Sequence, residues 1–144
     1  MDDSNDPSAL VNDNEPGRIE LPAARLEVDE LFEVLSHQRR RYVLYALLAD
    51  DSRSLEELAE SMAAWENRVP EDGVNREEIE KVYASLCHAH IPKLVDYGII
   101  GFDRRDETIT KKPIAKQVLD LLVHTGASEA EQMERHARRN IDDG

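Results

Sequence analysis

One cysteine, Cys87, is all the thiol chemistry that this 144-residue chain holds. A lone cysteine excludes an internal disulfide framework and a multi-cysteine zinc site. Lysine is also scarce, with five against thirteen arginines, and aromatic residues make up only 5% of the chain. No run of about 18 apolar residues occurs, so no spanning helix is expected. The first residues are acidic and carry no apolar signal region. The expectation is a cytoplasmic protein without membrane contact. Catalytic signatures are missing as well: no nucleophile motif, no Gly-rich phosphate loop and no HExxH pattern. The chain therefore reads as a non-enzyme without a cofactor.

Acid is what the chain has in excess. It carries 31 acidic against 18 basic residues, a formal net charge of -13. The imbalance is spread along the chain: residues 1–25 carry a net -4, residues 26–112 a net -7 and residues 113–144 a net -2. Acidic tails alone would give a local effect, so the distribution favours adaptation to high salt. There the Debye length is about 3 Å or less, and excess charge keeps a protein soluble. A nucleic-acid-binding domain is usually basic. At molar salt, however, counterion release adds little to affinity, and local positive patches suffice. The composition neither requires nor excludes DNA.

The most informative stretch is Asn75 to Lys112, which reads as a long helix, a glycine stop and a two-stranded hairpin. Asn75 is suited to cap the helix, with Glu78 completing a capping box. At 100° per residue, Ile79, Val82, Tyr83, Leu86, His90, Leu94 and Tyr97 share one arc. Lys81, Ser85, His88 and Pro92, with Ala84 beside them, share the opposite arc. The first should face a core and the second the outside. Pro92 should kink the helix or end it near Ile91, because it lacks an N–H donor. Gly98 fits the left-handed position that ends a helix. Ile99, Ile100 and Phe102 favour a strand, Arg104 to Glu107 a turn, and Thr108-Ile109-Thr110 a returning strand.

The remaining segments are read in chain order. Residues 1–25 are rich in Asp, Asn, Ser, Pro and Gly and are expected to be disordered. In the next segment Val28, Leu31, Phe32 and Leu35 share a helical face. Ser36 offers a cap for a second apolar helix, and Asp50-Asp51-Ser52 reads as a break. Ser54 to Glu57 forms a capping box before a helix that buries Leu55, Leu58, Ala59 and Met62. A long connection follows, Trp65 to Val74, with Trp65 as its expected local anchor. Pro113 opens a helix with Ile114, Val118, Leu121 and Leu122 apolar. Gly126 stops it, and Ser128 to Glu131 caps a last, mostly charged helix. The expected architecture is mainly α: a winged helix-turn-helix over 26–112, with one β-hairpin wing, and a C-terminal helical extension over 113–144.

At these residues the chain resembles a known group. LFEVLSHQRRRYVLYALL looks like the opening of ArsR-like winged-helix regulators, and IPKLVDYGII looks like the end of their recognition helix. Together with SLEELAE and HIPKLVDYGIIGFD, these segments resemble a haloarchaeal family of uncharacterised winged-helix, ArsR-like domains. The resemblance spans about Leu26 to Lys112 and implies a transcriptional regulator. The chain departs from the pattern in the long connection after Trp65 and in Pro92.

Candidate sites follow. Lys81, Ser85 and His88 lie where a recognition helix contacts base edges; the competing reading is an ordinary solvated face. Arg104 and Arg105, with Lys111 and Lys112, form the strongest local positive patch. They suit a phosphate or a minor groove, or only a charged turn that blocks edge pairing. Of Arg39, Arg40 and Arg41, one is expected to pair with an acid inside the domain and one to be able to reach a phosphate. Cys87, His88 and His90 invite a metal reading, but they point in different directions, and zinc needs converging ligands. A buried histidine and a small apolar cysteine are expected instead. Ile114, Val118, Leu121 and Leu122 form either core cover or the seam of a homodimer. The expected partners are double-stranded DNA and a second copy of the chain. The alternative is a winged-helix protein–protein interaction module that takes a protein partner and does not bind DNA.

Overall fold

The computed structural model describes residues 25–125, 129 and 131–137. It is mainly helical, with one small antiparallel sheet. The elements are α1 (Val28–Leu35), α2 (Gln38–Ala49), β1 (Ser52–Ser54), α3 (Leu55–Asn67), α4 (Arg76–Ser85), α5 (Ile91–Asp96), β2 (Ile100–Asp103), β3 (Thr108–Lys111) and α6 (Ala115–Thr125). Residues 131–137 are helical. The tail expectation for 1–25 falls, apart from the exposed Arg25, outside the described residues. So do Ser128 and Ala130 of the capping box proposed at Ser128 to Glu131.

The core is built around α2. Tyr42, Val43, Leu44, Tyr45, Ala46 and Leu47 are consecutive and all buried, so this helix is covered on every side. One-sided apolar periodicity is absent from such a helix because it has no solvent face. The same core takes in Leu55, Leu58 and Met62 of α3, Val82 of α4, Ile91 and Leu94 of α5, and Val118 and Leu122 of α6.

The sheet has three strands in the order β1-β3-β2, where the sequence predicts a single hairpin. Ser52, Arg53 and Ser54 pair with Thr110, Ile109 and Thr108. The segment Ser-Arg-Ser contains no β-branched or aromatic residue, so propensity does not announce it. Pairing along the free edge of β3 makes it a strand. On the other edge, Phe102 faces Ile109 and Asp103 faces Thr108. Gly98 has φ 76°, the left-handed turn expected at the end of α5.

Three helix faces differ from expectation. The first is α1. Val34 is fully buried, whereas Val28 and Phe32 are 63% and 64% exposed. The arc of Val28, Leu31, Phe32 and Leu35 is thus split, with Leu31 and Leu35 packed on the core and Val28 and Phe32 turned to solvent. Arg40 ties the end of α1 to α2. Its guanidinium is buried and donates to Val34 O at 2.9 Å, to Glu33 O at 2.7 Å and to His90 Nδ1 at 3.2 Å. The bond to Val34 O occupies one of the last carbonyls of α1, which a helix end leaves without an intrahelical partner. The cap of α2 is accordingly His37, whose Nδ1 accepts from Arg39 N at 3.2 Å, rather than Ser36.

The second is α6, where Val118 and Leu122 are buried in the protomer together with Ala115 and Leu119. This corrects two of the four residues expected on a dimer seam. Ile114 and Leu121 are half-buried. The third is Trp65. It lies within α3, not in the loop that follows. Its ring stands 5.3 Å from the ring of His136 and 6.3 Å from that of Tyr42. Tyr42 Oη lies 2.7 Å from His136 Nδ1 and 2.6 Å from Ser61 Oγ. With Met133 and Ala137 buried, these contacts fix the C-terminal helical stretch to the core.

Candidate functional site

The helix that begins at Asn75 carries the candidate site. Asn75 Oδ1 accepts from Glu77 N at 2.9 Å and from Glu78 N at 3.2 Å, which satisfies two N–H groups that the first turn leaves unpaired. The helix then runs through α4 into a π-helical turn, Leu86–His90, and on into α5. In the π turn the Ile91 N–H reaches back five residues to Leu86 O. This turn resolves the problem posed by Pro92. The helical path does not break there, because a widened turn precedes the proline at the second position of α5.

The two arcs separate as the 100° rotation requires. Val82, Leu86, His90 and Leu94 are buried; Lys81, Ala84, His88 and Pro92 are exposed, and Ser85 is half-exposed. Lys81, Ser85 and His88 therefore do share the solvent side. Lys81 pairs loosely with Glu78, one turn away, at 3.9 Å. Glu77 and Glu80 are also exposed on this helix.

The hairpin tip lies beside this helix. Tyr83 of α4 donates its hydroxyl to both carboxylate oxygens of Glu107, at 2.7 and 2.8 Å. That bond, together with burial and the neighbouring Cys87, pushes the phenol well above its ordinary range. Glu107 has φ 56°, a left-handed conformation that costs a non-glycine residue about 1–2 kcal/mol. It is held there from two sides, since its carbonyl also accepts from Leu55 N at 2.9 Å. At the other side of the turn, Asp103 Oδ1 accepts from Arg105 N at 2.8 Å. Arg104 and Arg105 project from this anchored turn, exposed, and form no ion pair among the described residues.

The four-cation patch expected here is divided. Lys111 pairs in register with Ile100, at the opposite end of the hairpin from the Asp103–Thr108 pair. Three residues of strand separate Thr108 from Lys111, on the order of 10 Å. Lys111 is also engaged by Asp51 at 3.4 Å. Lys112 is exposed next to it. Arg104 and Arg105 are thus one site at the tip, and Lys111 and Lys112 lie at the base.

The arginine run on α2 is consumed inside the molecule. Arg39 forms a bidentate pair with Glu66 at 2.7 and 2.8 Å, and Arg41 one with Glu129 at 2.7 and 3.0 Å. Arg41 also donates to Leu35 O. With Arg40 buried, none of the three is left to reach a phosphate, contrary to the sequence expectation.

Cys87 is half-buried, His88 is exposed and His90 is buried, so the three do not converge. Among the described residues, no group of three or more His, Cys, Asp and Glu side chains is placed to hold a metal ion. His90 accepts at Nδ1 from Arg40, so its ring proton sits on Nε2. Its ring centroid is 4.3 Å from that of His37. Burial, followed by the charges of His37 and Arg40, pushes His90 down to about 4. No spacing rule points to Tyr83 and Glu107 as a pair. One reads as core and the other as turn, 24 residues apart.

Residues 32–110 match the model of a family described as a domain of unknown function (DUF7344). That is more than half of the chain, which belongs to this family. The match runs from within α1 to the end of the hairpin and leaves α6 outside. No curated protein and no solved structure matches the chain. Among the described residues no helix is long and apolar enough to cross a membrane.

Proposed function

We propose that the chain is a cytoplasmic DNA-binding transcriptional regulator of the winged-helix, ArsR-like kind, acting as a homodimer. In this reading α3 and α4 form the helix-turn-helix. The outward arc of Lys81, Ser85 and His88 lies in the major groove, and the hairpin from Ile100 to Lys111 is the wing. The observation that carries it is the bond from Tyr83 to Glu107, which holds the exposed Arg104 and Arg105 beside the helix with the outward polar arc. The helix offers groups for base edges and the adjoining tip offers groups for phosphate, the two kinds of contact that specific binding combines. The likeness of LFEVLSHQRRRYVLYALL and HIPKLVDYGIIGFD to ArsR-like domains supports the same reading. The dimer seam we assign to the exposed apolar edge of α1, Val28 and Phe32, with the half-buried Ile114 and Leu121 of α6.

A second reading rests on Glu77, Glu80 and Asp106, which are exposed on the helix and turn that would meet phosphate. They favour a module that binds protein instead. The test is anisotropy of a labelled duplex with wild type and an Arg104→Ala/Arg105→Ala variant across a salt series. Removing two phosphate contacts should lower the slope of log affinity against log salt by about 2. Unchanged duplex binding in a folded variant would favour the second reading.

A further inference from the structure

We infer that the Tyr83–Glu107 bond is a latch that sets where the hairpin tip stands relative to α4, making Tyr83 and Glu107 positioning residues for Arg104 and Arg105. The inference rests on the DNA-binding reading only for its consequence, not for the latch itself. The turn at Arg104–Glu107 joins two four-residue strands that pair up to Asp103 and Thr108. Its last residue is fixed by three bonds to two helices. The Glu107 carbonyl accepts from the first N–H of α3, and both carboxylate oxygens accept from Tyr83. The Tyr83 ring packs on the core, so the hydroxyl is a fixed point rather than a mobile one. Residue 107 in a left-handed conformation needs such fixing, because a glutamate has little intrinsic preference for it. The turn therefore cannot swing its two arginines without either breaking the carboxylate contact or moving α4. Lys111 and Lys112 lie outside this control, since they sit at the far end of the hairpin.

Tyr83→Phe separates the latch from the fold, because the ring and its packing remain. Amide hydrogen exchange of the full chain should rise at least tenfold at residues 104–107 in Tyr83→Phe, and stay unchanged in α2. Glu107→Gln, whose amide oxygen still accepts from the phenol, should remain close to wild type; Glu107→Ala should resemble Tyr83→Phe. Unchanged exchange at the turn in Tyr83→Phe would overturn the latch, whatever the protein binds. The positioning consequence is read from duplex affinity in a double-mutant cycle. The loss caused by Tyr83→Phe should disappear in an Arg104→Ala/Arg105→Ala background, and persistence of the full loss there would overturn it. Faster turn exchange in a protein whose wild type binds no duplex would support the latch and sink the DNA reading alone.

Discussion

Two runs of arginine stand out among the described residues, and they meet opposite fates. Arg39, Arg40 and Arg41 begin α2 and are all engaged within the molecule, two with carboxylates and one with buried carbonyls and an imidazole. Arg104 and Arg105 stand exposed on a four-residue turn and engage nothing with their side chains among the described residues. As sequence the run on α2 is the more basic, three arginines against two that Asp103 and Asp106 flank. What separates them is the backbone that carries them. A helix start packed against α1 and α3 surrounds its side chains with acceptors. A hairpin tip fixed by its glutamate aims its side chains into solvent. In a chain this acidic, a cation left without an internal partner is the stronger candidate for an external one.

That comparison makes unequal predictions. The largest effect should come from Arg40→Leu. It leaves Val34 O and His90 Nδ1 without their donor in a buried place, and should cost about 3 kcal/mol. A urea midpoint measured beside that of Arg105→Leu reads the contrast directly. The tip variant should stay within about 0.5 kcal/mol of wild type.

The pH dependence at His90 comes next. Its pKa is lowered from 6.5 to about 4 in the folded state. The unfolded chain therefore takes up this proton first, and stability rises with pH across that window. The contribution is complete above about 6.5 and is lost as the pH falls through the range towards 4, with at most about 3 kcal/mol at stake. Glu33, held low by Lys93 and Tyr97, changes stability in the same direction. The informative measurement is thus the difference between wild type and His90→Gln, which should flatten the slope between pH 6.5 and 4. Parallel curves would contradict the assignment.

A smaller loss, about 1–2 kcal/mol, is expected for Tyr42→Phe. It removes the hydroxyl that joins Ser61 to His136. Residues 131–137 should show the greatest gain in amide exchange. The smallest stability effect belongs to Arg104→Ala/Arg105→Ala, which should leave the thermal midpoint where it is while weakening duplex binding.

The parts of the fold that the sequence reveals are those with local causes. Asn75 caps α4 through its own side chain, Gly98 takes the left-handed turn, and the 100° rotation separates Lys81, Ser85 and His88 from Val82, Leu86 and His90. The parts it hides have distant causes. Ser52 to Ser54 becomes a strand only because β3 offers an open edge. The apolar arc of α1 is buried only in part, Leu31 and Leu35 on the core and Val28 and Phe32 outside it, and the bonds from Arg40 to the end of α1 come from another helix. Pro92 announces a disturbance, but whether that becomes a break, a kink or a π turn depends on the packing of Leu86 and Ile91 on both sides. The candidate site divides in the same way. Arg104 and Arg105 are legible at a turn. Their separation from Lys111 and Lys112 is a matter of register, and the bond from Tyr83 to Glu107 is a tertiary contact that no spacing encodes.

The most direct test of the central claim is selection from a pool of random duplexes by the purified full chain in molar potassium chloride. The account predicts enrichment of a two-fold symmetric motif, which would show sequence-specific binding by a dimer in a single result. Absence of any enrichment, from a protein whose helical circular dichroism is intact, would contradict it and leave the protein-binding reading in its place.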